Sequence, residues 1–547
     1  MQKTATFRQI KGHFGWILAV CFFLFGGFGQ MKAQQQGALK RGNEAFEKMA
    51  YVDAIKYFEK ALSKGFDKNG LIRLADAYRL TNNSRKAAEV YSKVVNLNQI
   101  LPINYFYFAQ ALMNQGMYPE AAKWFERYAK AVPQDPRGAK FANSCRTIES
   151  YFADTSEIRI RPFPHNSKVD DFSPVWYKGG IIFSSSRSEG SMVESRYDWN
   201  GQPYLDLYYS KMTGEGEKFS RPVLIIGKLN TRFHEATCAW DSLNSLVYFT
   251  RNNFFEGKKT TDVNGIMNLK LFYADVPNSG PWSNVRSLPF NSDVYSVGHP
   301  AIQFGSETLL FISDMPGGFG GTDIYRVDFK EDGWATPVNL GPKVNSPGNE
   351  MFPYLTPDEI LYFSSDGLGG LGGLDVFQCD LRASECIPQN LGAPINSSSD
   401  DFGILMSGDH AWGMFSSNRG GGLGSDDIYL FEYQKPTWEG VVVDAVTKQP
   451  IPGVKIALHL PRINRQVSGE TDPDGKLNLM LNRDVTYQLV AEVPQYRPKR
   501  LEISTFGASK DDHLQDTIFM ERPAIIVVTK VIDMASGFPI ANAKVRV

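Results

Sequence analysis

The residues of this chain whose types and spacing could do chemistry are three aspartates, each of which follows a glycine-rich loop. The loops read Met315-Pro-Gly-Gly-Phe-Gly-Gly-Thr-Asp323, Asp366-Gly-Leu-Gly-Gly-Leu-Gly-Gly-Leu-Asp375 and Asn418-Arg-Gly-Gly-Gly-Leu-Gly-Ser-Asp-Asp427. Glycine-rich loops cradle phosphate groups when Gly-Lys-Ser/Thr follows, and none follows here. The loops are therefore not P-loops. Asp323, Asp375 and Asp427 carry carboxylate oxygens, which are the ligand type of a hard cation such as calcium.

A structural interpretation of the same loops stands beside the calcium hypothesis. The first loop resembles the repeats of calcium-binding β-rolls, but ligands in those repeats stack at a short period, whereas these copies recur on separate repeat units. In the structural interpretation, glycine supplies backbone angles with positive φ and the aspartate ties down the turn. We favour the structural interpretation and keep the metal site at Asp323, Asp375 and Asp427 as the weaker alternative.

The other chemically versatile residues are dispersed along the chain. Four histidines fall in different repeat units: His165, His234, His299 and His410. No CxxC or His/Cys grouping has the spacing of a metal site. No Ser/His/Asp series or paired carboxylate stands out from ordinary surface. The formal net charge of -1 also excludes a general nucleic-acid binder. We therefore predict a protein that is not an enzyme and has no cofactor.

The glycine-rich loops lie between predicted strands, and the whole unit repeats. Phe311, Phe363 and Phe415 stand at equivalent places before the loops, 52 residues apart. Looser copies begin at Ile182 and Val247, and a period of about 40–50 residues with strand-sized units is typical of propeller blades. Residues 157–433 resemble PD40 (WD40-like) propeller repeats. The sequence predicts five blades, with six as the alternative, and a strand near residues 158–163 that completes the blade containing Phe415 and Tyr429.

A helical repeat precedes these strands, at residues 37–153. Ala54, Ala87 and Ala121 follow one another at steps of 33 and 34 residues, within apolar patterns that resemble tetratricopeptide (TPR) repeats. One more helix, which caps the array, is expected from Asp135 to Ala153. TPR arrays usually bind proteins, and the inner-face candidates for partner binding are Asn43, Asp76, Arg79, Gln110 and Asn114. An array that only spaces the propeller is the alternative.

The C-terminal part is predicted to be a small β-sandwich. Residues 437–522 contain strand, turn and strand patterns that resemble carboxypeptidase regulatory-like domains, which carry no catalytic residues of their own. Residues 524–547 echo the opening of that domain and read as the start of a second sandwich-like or C-terminal domain, truncated at Val547.

Residues 1–33 read as a secretory signal peptide. A basic segment precedes an apolar run, and cleavage is predicted after Ala33. A lipoprotein signal at Cys21 is the minor alternative. In an oxidising compartment, Cys379 and Cys386 flank a turn that a disulfide could close, although two unlinked buried thiols remain an alternative.

The order of signal, TPR array, PD40 propeller and regulatory-like sandwich resembles the PorE-like family, OmpA-related proteins of the bacterial type IX secretion and gliding machinery. The resemblance implies a non-enzymatic periplasmic scaffold or adaptor associated with the outer membrane, with other envelope proteins as partners. It implies peptidoglycan binding only if an OmpA-like domain follows. No nucleic acid and no membrane span in the mature chain are expected. A ligand-binding protein or enzyme that uses the propeller channel is the alternative from a different class.

Overall fold

The computed structural model describes residues 31–545 except for these internal segments: 153–157, 188–195, 214–217, 228, 304–306, 332, 358, 384–385, 409–411, 461–464, 482–484, 509–511 and 524–529. The chain divides into two compact units, Met1–Glu432 (unit 1) and Tyr433–Val547 (unit 2). The signal segment through residue 30, the lipidation candidate Cys21 and the histidine at 410 lie outside the described residues.

The described part of unit 1 begins with seven α-helices. Helix α1 is described from residue 31 to residue 47, so the predicted cleavage position, Ala33, falls within it. The others are α2 (Tyr51–Leu62), α3 (Lys68–Leu80), α4 (Ser84–Val94), α5 (Ile103–Met113), α6 (Tyr118–Ala131) and α7 (Arg137–Arg146), followed by a 3-10 turn at Ile148–Phe152. From α2 to α7 each helix packs on the next, and the Phe46 ring of α1 contacts the Phe58 ring of α2. No helix in the described part of the chain is both long and apolar enough to cross a membrane.

Small residues allow these helices to approach closely. Ala54, Ala87 and Ala121, the residues that mark the repeat, are fully buried. Aromatic side chains fill the spaces around them: the Phe106 ring lies 5.3 Å from the Phe125 ring. Close contact through small residues, flanked by large ones, is the packing that the helical repeat predicts.

The other described strands of unit 1 form five antiparallel sheets and one small hairpin. Sheet 1 contains Asp171–Tyr177, Gly180–Ser185, Asp206–Thr213, Lys218–Phe219 and Val223–Leu224; sheet 2 contains Glu235–Asp241, Leu246–Asn252, Leu269–Asp275 and Ser283–Ser287. Sheet 3 contains Val297–Ile302, Thr308–Ser313, Asp323–Lys330, Gly333–Trp334 and Val338–Asn339. Sheet 4 contains Glu350–Leu355, Ile360–Ser365, Asp375–Asp380 and Gln389–Asn390; sheet 5 contains Asp401–Met406, Trp412–Ser417, Asp427–Tyr433 and Ile158–Pro162. A separate small hairpin pairs Phe254–Phe255 with Lys258–Lys259.

The repeated aromatics form the same cross-strand pair in three sheets. Phe311 pairs with Tyr325, Phe363 with Phe377, and Phe415 with Tyr429. Their ring centroids lie 5.8, 5.9 and 5.7 Å apart, and the rings are stacked. Aromatic cross-strand pairs stabilise antiparallel sheets, which explains why the sequence repeats them.

The first strands of the five sheets contact one another in cyclic order, including sheet 5 against sheet 1. Each of these strands carries a bulge next to a residue with positive φ: Ser173, Thr237, His299, Phe352 and Gly403. At three of these positions the bulge N–H donates to a hydroxyl oxygen of the neighbouring sheet, at 2.9 Å each: Ser173 to Ser416, Thr237 to Ser184 and His299 to Thr250. The first of these bonds joins the last sheet to the first.

The strand before sheet 1 in the chain completes sheet 5, as predicted. Ile158–Pro162 is the neighbour of Asp427–Tyr433 in the strand order. The Phe163 N–H donates to the Ile428 carbonyl at 2.8 Å, and the Asn166 side chain exchanges two hydrogen bonds with the Ile428 backbone, at 2.9 and 3.1 Å. Asn345 and Asn396 make the same pair of bonds to Ile324 and Val376. The prediction that residues 158–163 join the sheet containing Phe415 and Tyr429 is confirmed.

Unit 2 contains two sheets around one apolar core. The first is built from Thr437–Asp444, Lys476–Met480 and His513–Met520, and the second from Lys455–Leu460, Arg465–Glu470, Thr486–Glu492 and Lys499–Ser504. Thr437–Asp444 runs parallel to His513–Met520, and every other pairing is antiparallel. Trp438, Tyr487 and Leu489 are fully buried between them.

Residues 530–545 repeat the local geometry of the opening turn of unit 2. An isolated bridge joins Ile532 to Pro539, as another joins Val443 to Pro450. The carboxylates of Asp533 and Asp444 each accept backbone N–H groups two and three residues ahead. The sequence echo therefore corresponds to a repeated turn.

Candidate functional site

A polar cavity of about 650 Å³ lies between the helices and the sheets of unit 1. Helices α3, α4 and α5 supply one wall, and the glycine-rich loops and the turns before the first strands supply the other. Its principal charged residues are Arg79, Arg85, Asp170, Asp366, Asp400 and Asp426. The exposed residues Asn82, Asn83, Arg85 and Ser425 line the cavity where it reaches solvent.

Each glycine-rich loop is held by its own aspartate. One glycine near the start of each loop has a positive φ: Gly317 at 97°, Gly369 at 83° and Gly421 at 95°. The following aspartate accepts a loop N–H: Phe319 donates to Asp323 and Leu371 to Asp375, both at 2.6 Å, and Leu423 donates to Asp427 at 2.5 Å. The structural interpretation of the loops accounts for these contacts.

A second glycine in each loop permits close approach to the next sheet. A Cβ atom at Gly320 would clash with the carbonyl oxygens of Ser346 and Gly348, and one at Gly372 would clash with that of Ser399. In the third loop, a Cβ atom at Gly424 would clash with the Val169 carbonyl oxygen, just before sheet 1. The loops thus fasten successive sheets together, and the third fastens sheet 5 to sheet 1.

The structure does not bring the three candidate metal ligands together. Asp323, Asp375 and Asp427 lie on sheets 3, 4 and 5, at equivalent positions. Within the described residues, no group of three or more His, Cys, Asp or Glu side chains has the arrangement of a metal site.

Buried acidic residues begin the first strands of four sheets. Asp171, Glu235, Glu350 and Asp401 are all fully buried. Arginines pair with three of them: Arg187 with Asp171 at 2.5 Å, Arg251 with Glu235 at 2.8 Å, and Arg419 with Asp401 at 2.5 Å. These pairs join the first and second strands of a sheet, because each arginine lies at or just after the end of the second strand.

The fourth acid, Glu350, has hydroxyl groups where the others have arginine. Ser346 and Ser365 donate to its carboxylate at 2.6 and 2.7 Å. Burial raises the pKa of Glu350 to about 7, and burial raises that of Glu235 to about 7 as well, despite the Arg251 charge beside it. Desolvation of the charged form therefore exceeds the stabilisation that these partners give.

The helices dock on the sheets through a loop of sheet 1 that sequence reasoning did not identify. The Trp199 indole N–H donates to the Leu80 carbonyl at the end of α3, at 2.8 Å. The Trp199 ring meets the Tyr51 ring edge-on, with centroids 4.8 Å apart. At the other end of the array, the Ala393 N–H donates to the Tyr151 carbonyl at 2.7 Å. The only sequence signal was the aromatic content of the loop, since residues 196–204 belong to no repeat.

Only some of the predicted inner-face residues lie at this docked surface. Arg79, Gln110 and Asn114 line the polar cavity. Asp76 accepts a hydrogen bond from the Tyr91 hydroxyl at 2.5 Å and lies 4.0 Å from Arg79. Asn43 is exposed and accepts a hydrogen bond from Arg73 at 3.1 Å. The structure thus gathers three of the five candidates at one site, in front of the sheets rather than in front of open solvent.

The carboxylates on the sheet side of the cavity have raised pKa values. Burial raises the pKa of Asp170 to about 6, and hydrogen bonds only partly offset that effect. Burial and the charges of Asp170, Asp400 and Asp427 raise the pKa of Asp426 well above its usual range. Asp366 and Asp400 share the direction and the cause, although Asn349 and Asn418 donate to them at 2.8 Å each.

A second, apolar pocket of about 300 Å³ lies at the centre of the five sheets. Its walls are residues that follow the bulges of the first strands, so it is displaced along those strands from the polar cavity. Prolines and aromatics line it, including Pro174, Pro300, Pro353, Trp176 and Trp240. His299 Nδ1 accepts the Phe352 N–H at 3.2 Å, and burial lowers the pKa of His299 to about 3.

The cysteines of sheet 4 are paired in the structure. Cys379 and Cys386 form a disulfide, with Cα atoms 5.4 Å apart, at the strand-to-strand turn. Cys145 and Cys238 are free and buried.

No family model matches the sequence, and no curated protein matches it at a significant level. Among solved structures, the chain is similar to YrrB, a TPR protein with an unusual peptide-binding site, at 21% identity over 25% of this chain and 75% of that one, with a TM-score of 0.21. It is also similar to a GH32 β-fructofuranosidase from Bombyx mori, at 11% identity over 68% and 93% of the two chains, with a TM-score of 0.32. A GH43 endo-arabinanase from Bacillus licheniformis matches at 11% identity over 49% and 96%, with a TM-score of 0.31. At these TM-scores the similarities carry no argument about function.

Proposed function

We propose that this protein is a non-enzymatic scaffold, in which a TPR-like helical array and a five-bladed propeller act as one body that holds partner proteins. The five sheets are the five blades, and the array is docked on the blade faces that carry the glycine-rich loops. In this proposal the partners are other proteins of the bacterial cell envelope, at the periplasmic side of the outer membrane. The machinery is type IX secretion or gliding, as the order of domains implies. Binding to peptidoglycan is part of the proposal only if an OmpA-like domain follows.

One observation carries the non-enzymatic part of the proposal. The fully buried acids at the starts of the blades are engaged by structural partners, namely arginines, hydroxyls and backbone N–H groups, as for Asp401 with Arg419 and Ser397. A catalytic acid or base must reach a substrate, whereas these carboxylates face other parts of the ring. Their raised pKa values follow from burial within the framework.

Cross-linking in intact cells followed by affinity capture tests the proposal. The full, exported chain carries the tag, and an unrelated exported protein of similar size serves as the control. We expect one or a few outer-membrane or secretion components in a fixed ratio to the bait. A chain that cross-links to nothing above the control, and elutes as a monomer from gentle detergent extracts, would contradict the scaffold.

The apolar central pocket favours one alternative function, binding of a small apolar ligand in the propeller channel. Its aromatic and proline lining provides contact area, and the neutral His299 ring supplies one N–H donor. Titration with a naphthalene-based fluorescent probe tests this function, with Ala301→Val as a variant that narrows the pocket. Saturable binding that weakens in the variant would support it, and no saturable binding would exclude it.

A further inference from the structure

Three residues that line the cavity between the array and the blades each carry a buried polar atom without a partner. Among the described residues, Asp170 Oδ1, Asn114 Oδ1 and Arg79 Nε have no hydrogen-bond partner. Asp170 is only 5% exposed. A buried polar group without a partner costs about 1–3 kcal/mol, so three of them around one cavity indicate a site that is completed by another molecule.

The chemistry of these atoms defines what completes the site. Two are acceptors and lie on opposite walls, Asp170 on the blades and Asn114 on the array. The third, Arg79 Nε, is a donor, and its guanidinium is fixed over the Tyr107 ring, with Cζ 3.9 Å from the centroid. The missing molecule therefore offers several donors and at least one acceptor.

The net negative charge of the cavity favours a bound molecule whose hydrogen-bond donors are positively charged. Four carboxylates line it, against two guanidinium groups, and Asp76 beside Arg79 offsets one of those. Within the described residues no hydrogen bond stabilises the charge of Asp426, which faces the charges of Asp170 and Asp400. A cation with several N–H donors relieves this repulsion and satisfies both acceptors.

We propose that the cavity binds a lysine or arginine residue of a peptide segment that belongs to a partner protein. The cationic side chain enters between Asp170, Asp400 and Asp426, and the peptide carbonyl accepts from Arg79 Nε. The segment runs along the helix ends at Asn82 and Asn83, which border the cavity in the open. This inference rests on the scaffold function and names the chemistry of the partner segment.

The test measures the binding of short peptides to the full chain by fluorescence anisotropy at low salt. The probes are labelled, acetylated and amidated pentapeptides of sequence Gly-Ser-X-Ser-Gly, with X as lysine, arginine or glutamine. We expect the basic peptides to bind at least about tenfold more tightly than the glutamine peptide, as the loss of one charge-assisted hydrogen bond predicts. Equal binding of the three peptides, or no binding, would overturn the proposal.

Variants locate the site. Asp426→Asn should remove most of the preference for the basic peptides, whereas Glu331→Gln, which changes the net charge equally at an exposed turn, should leave it unchanged. Arg79→Gln should weaken all three peptides by a similar factor, because it removes the donor to the peptide carbonyl. If both charge variants change the preference equally, the binding is non-specific and the proposal fails.

Two further measurements do not depend on variants. Bound lysine peptide should slow hydrogen exchange at residues 81–85 and 424–426, and protection elsewhere alone would overturn the assignment. Spermidine that binds as tightly as the lysine peptide would show a bare cation site and refute the peptide contact. Since cross-linked partners can still be recovered when these peptides fail, failure of this inference is distinguishable from failure of the scaffold.

Discussion

The five sheets of unit 1 and the two sheets of unit 2 both enclose apolar cores, but, among the described residues, only the sheets of unit 1 add fully buried acids to them. In unit 1, fully buried acids such as Glu235 and Asp401 join strands through arginine, hydroxyl and backbone contacts. In unit 2, an apolar core around Trp438 and Tyr487 separates two sheets. Apolar packing tolerates rearrangement, whereas a hydrogen-bonded network fixes register. The sheets of unit 1, whose repeats could slip against one another, add the more directional contacts to their apolar packing.

The largest expected effect isolates the apolar side of this comparison. Trp438→Ala should destabilise unit 2 by about 4 kcal/mol, because it removes a fully buried indole and its hydrogen bond to Asp516. Differential scanning calorimetry should show a lower transition for unit 2 and an unchanged one for unit 1. Phe506→Ala, at a side chain that is 68% exposed, is the matched control and should change neither transition. A comparable shift of both transitions would contradict separate cores.

The next effect isolates the polar side. Arg251→Leu should destabilise unit 1 by about 3 kcal/mol, because it leaves Glu235 buried without its arginine. Chemical denaturation of the protein, monitored by the fluorescence of the tryptophans in unit 1, measures this cost. Arg326→Leu, at the exposed pair with Asp328, should cost less than about 1 kcal/mol. The two residues should also be energetically coupled, so that adding Glu235→Leu to Arg251→Leu recovers part of the lost free energy of unfolding. If nothing is recovered, the ion pair does not contribute to stability.

The two units should respond to pH in opposite directions. Glu235 and Glu350 have pKa values of about 7 in the folded state, raised from 4.5 by burial, so the folded state holds more protons than the unfolded state near neutral pH. Stability of unit 1 should therefore rise by about 2 kcal/mol for each group as pH falls from 7.5 to 5.5. In unit 2, backbone hydrogen bonds from Thr447 and Val446 lower the pKa of Asp444, so acidification below its unfolded pKa should destabilise that unit.

Thermal unfolding at several pH values checks this prediction. The variant Glu350→Gln should remove part of the pH dependence of unit 1 and none of that of unit 2. A unit 1 transition that falls steadily from pH 7.5 to 5.5 would show that these acids are not protonated on burial.

The smallest effect compares two equivalent contacts within the ring. Asn166→Ala and Asn396→Ala each remove two hydrogen bonds to a strand backbone, at a cost of about 1–2 kcal/mol. Asn166 joins segments 262 residues apart, and Asn396 segments only 20 apart. Asn396→Ala also removes a bond to Asn390 Oδ1, so we expect its loss of stability to be at least as large as that of Asn166→Ala. Slower refolding is expected only for Asn166→Ala, as measured by stopped-flow fluorescence. Equal refolding rates would show that ring closure does not limit folding.

The repeats explain which parts of this structure could be predicted from the sequence. Phe311, Phe363 and Phe415 defined the strand pairs. The dipeptide Asn166-Ser167, which recurs as Asn345-Ser346 and Asn396-Ser397, indicated the closing strand, because identical contacts select identical residues. In the sequence, the acids at the starts of the first strands were interpreted only as parts of polar turns. The Ser or Arg at or just after the end of the next strand was a signal for their burial that the sequence interpretation did not use.

Other features had no comparable signal. The positive φ angles at Ser173, Thr237, His299 and Phe352 fall on residue types that rarely adopt them, since the surrounding ring imposes the bulges. Trp199 lies in a loop that has no counterpart among the described residues of the other sheets, so its contact with α3 could not be inferred from periodicity. The polar cavity depends on that contact and was equally hidden.

The closing strand at Ile158–Pro162 has a consequence for how the chain is made. Its partner strand, Asp427–Tyr433, is synthesised more than 260 residues later. At about 5–20 residues per second, the ribosome needs on the order of 13–50 seconds to deliver it. During this interval the strand edge and the Phe163 side chain have no partner, while the helical array ahead of them can already be folded. A growing chain therefore carries a folded helical array and an unpaired strand. That strand can pair incorrectly with an exposed strand edge of a second nascent copy nearby.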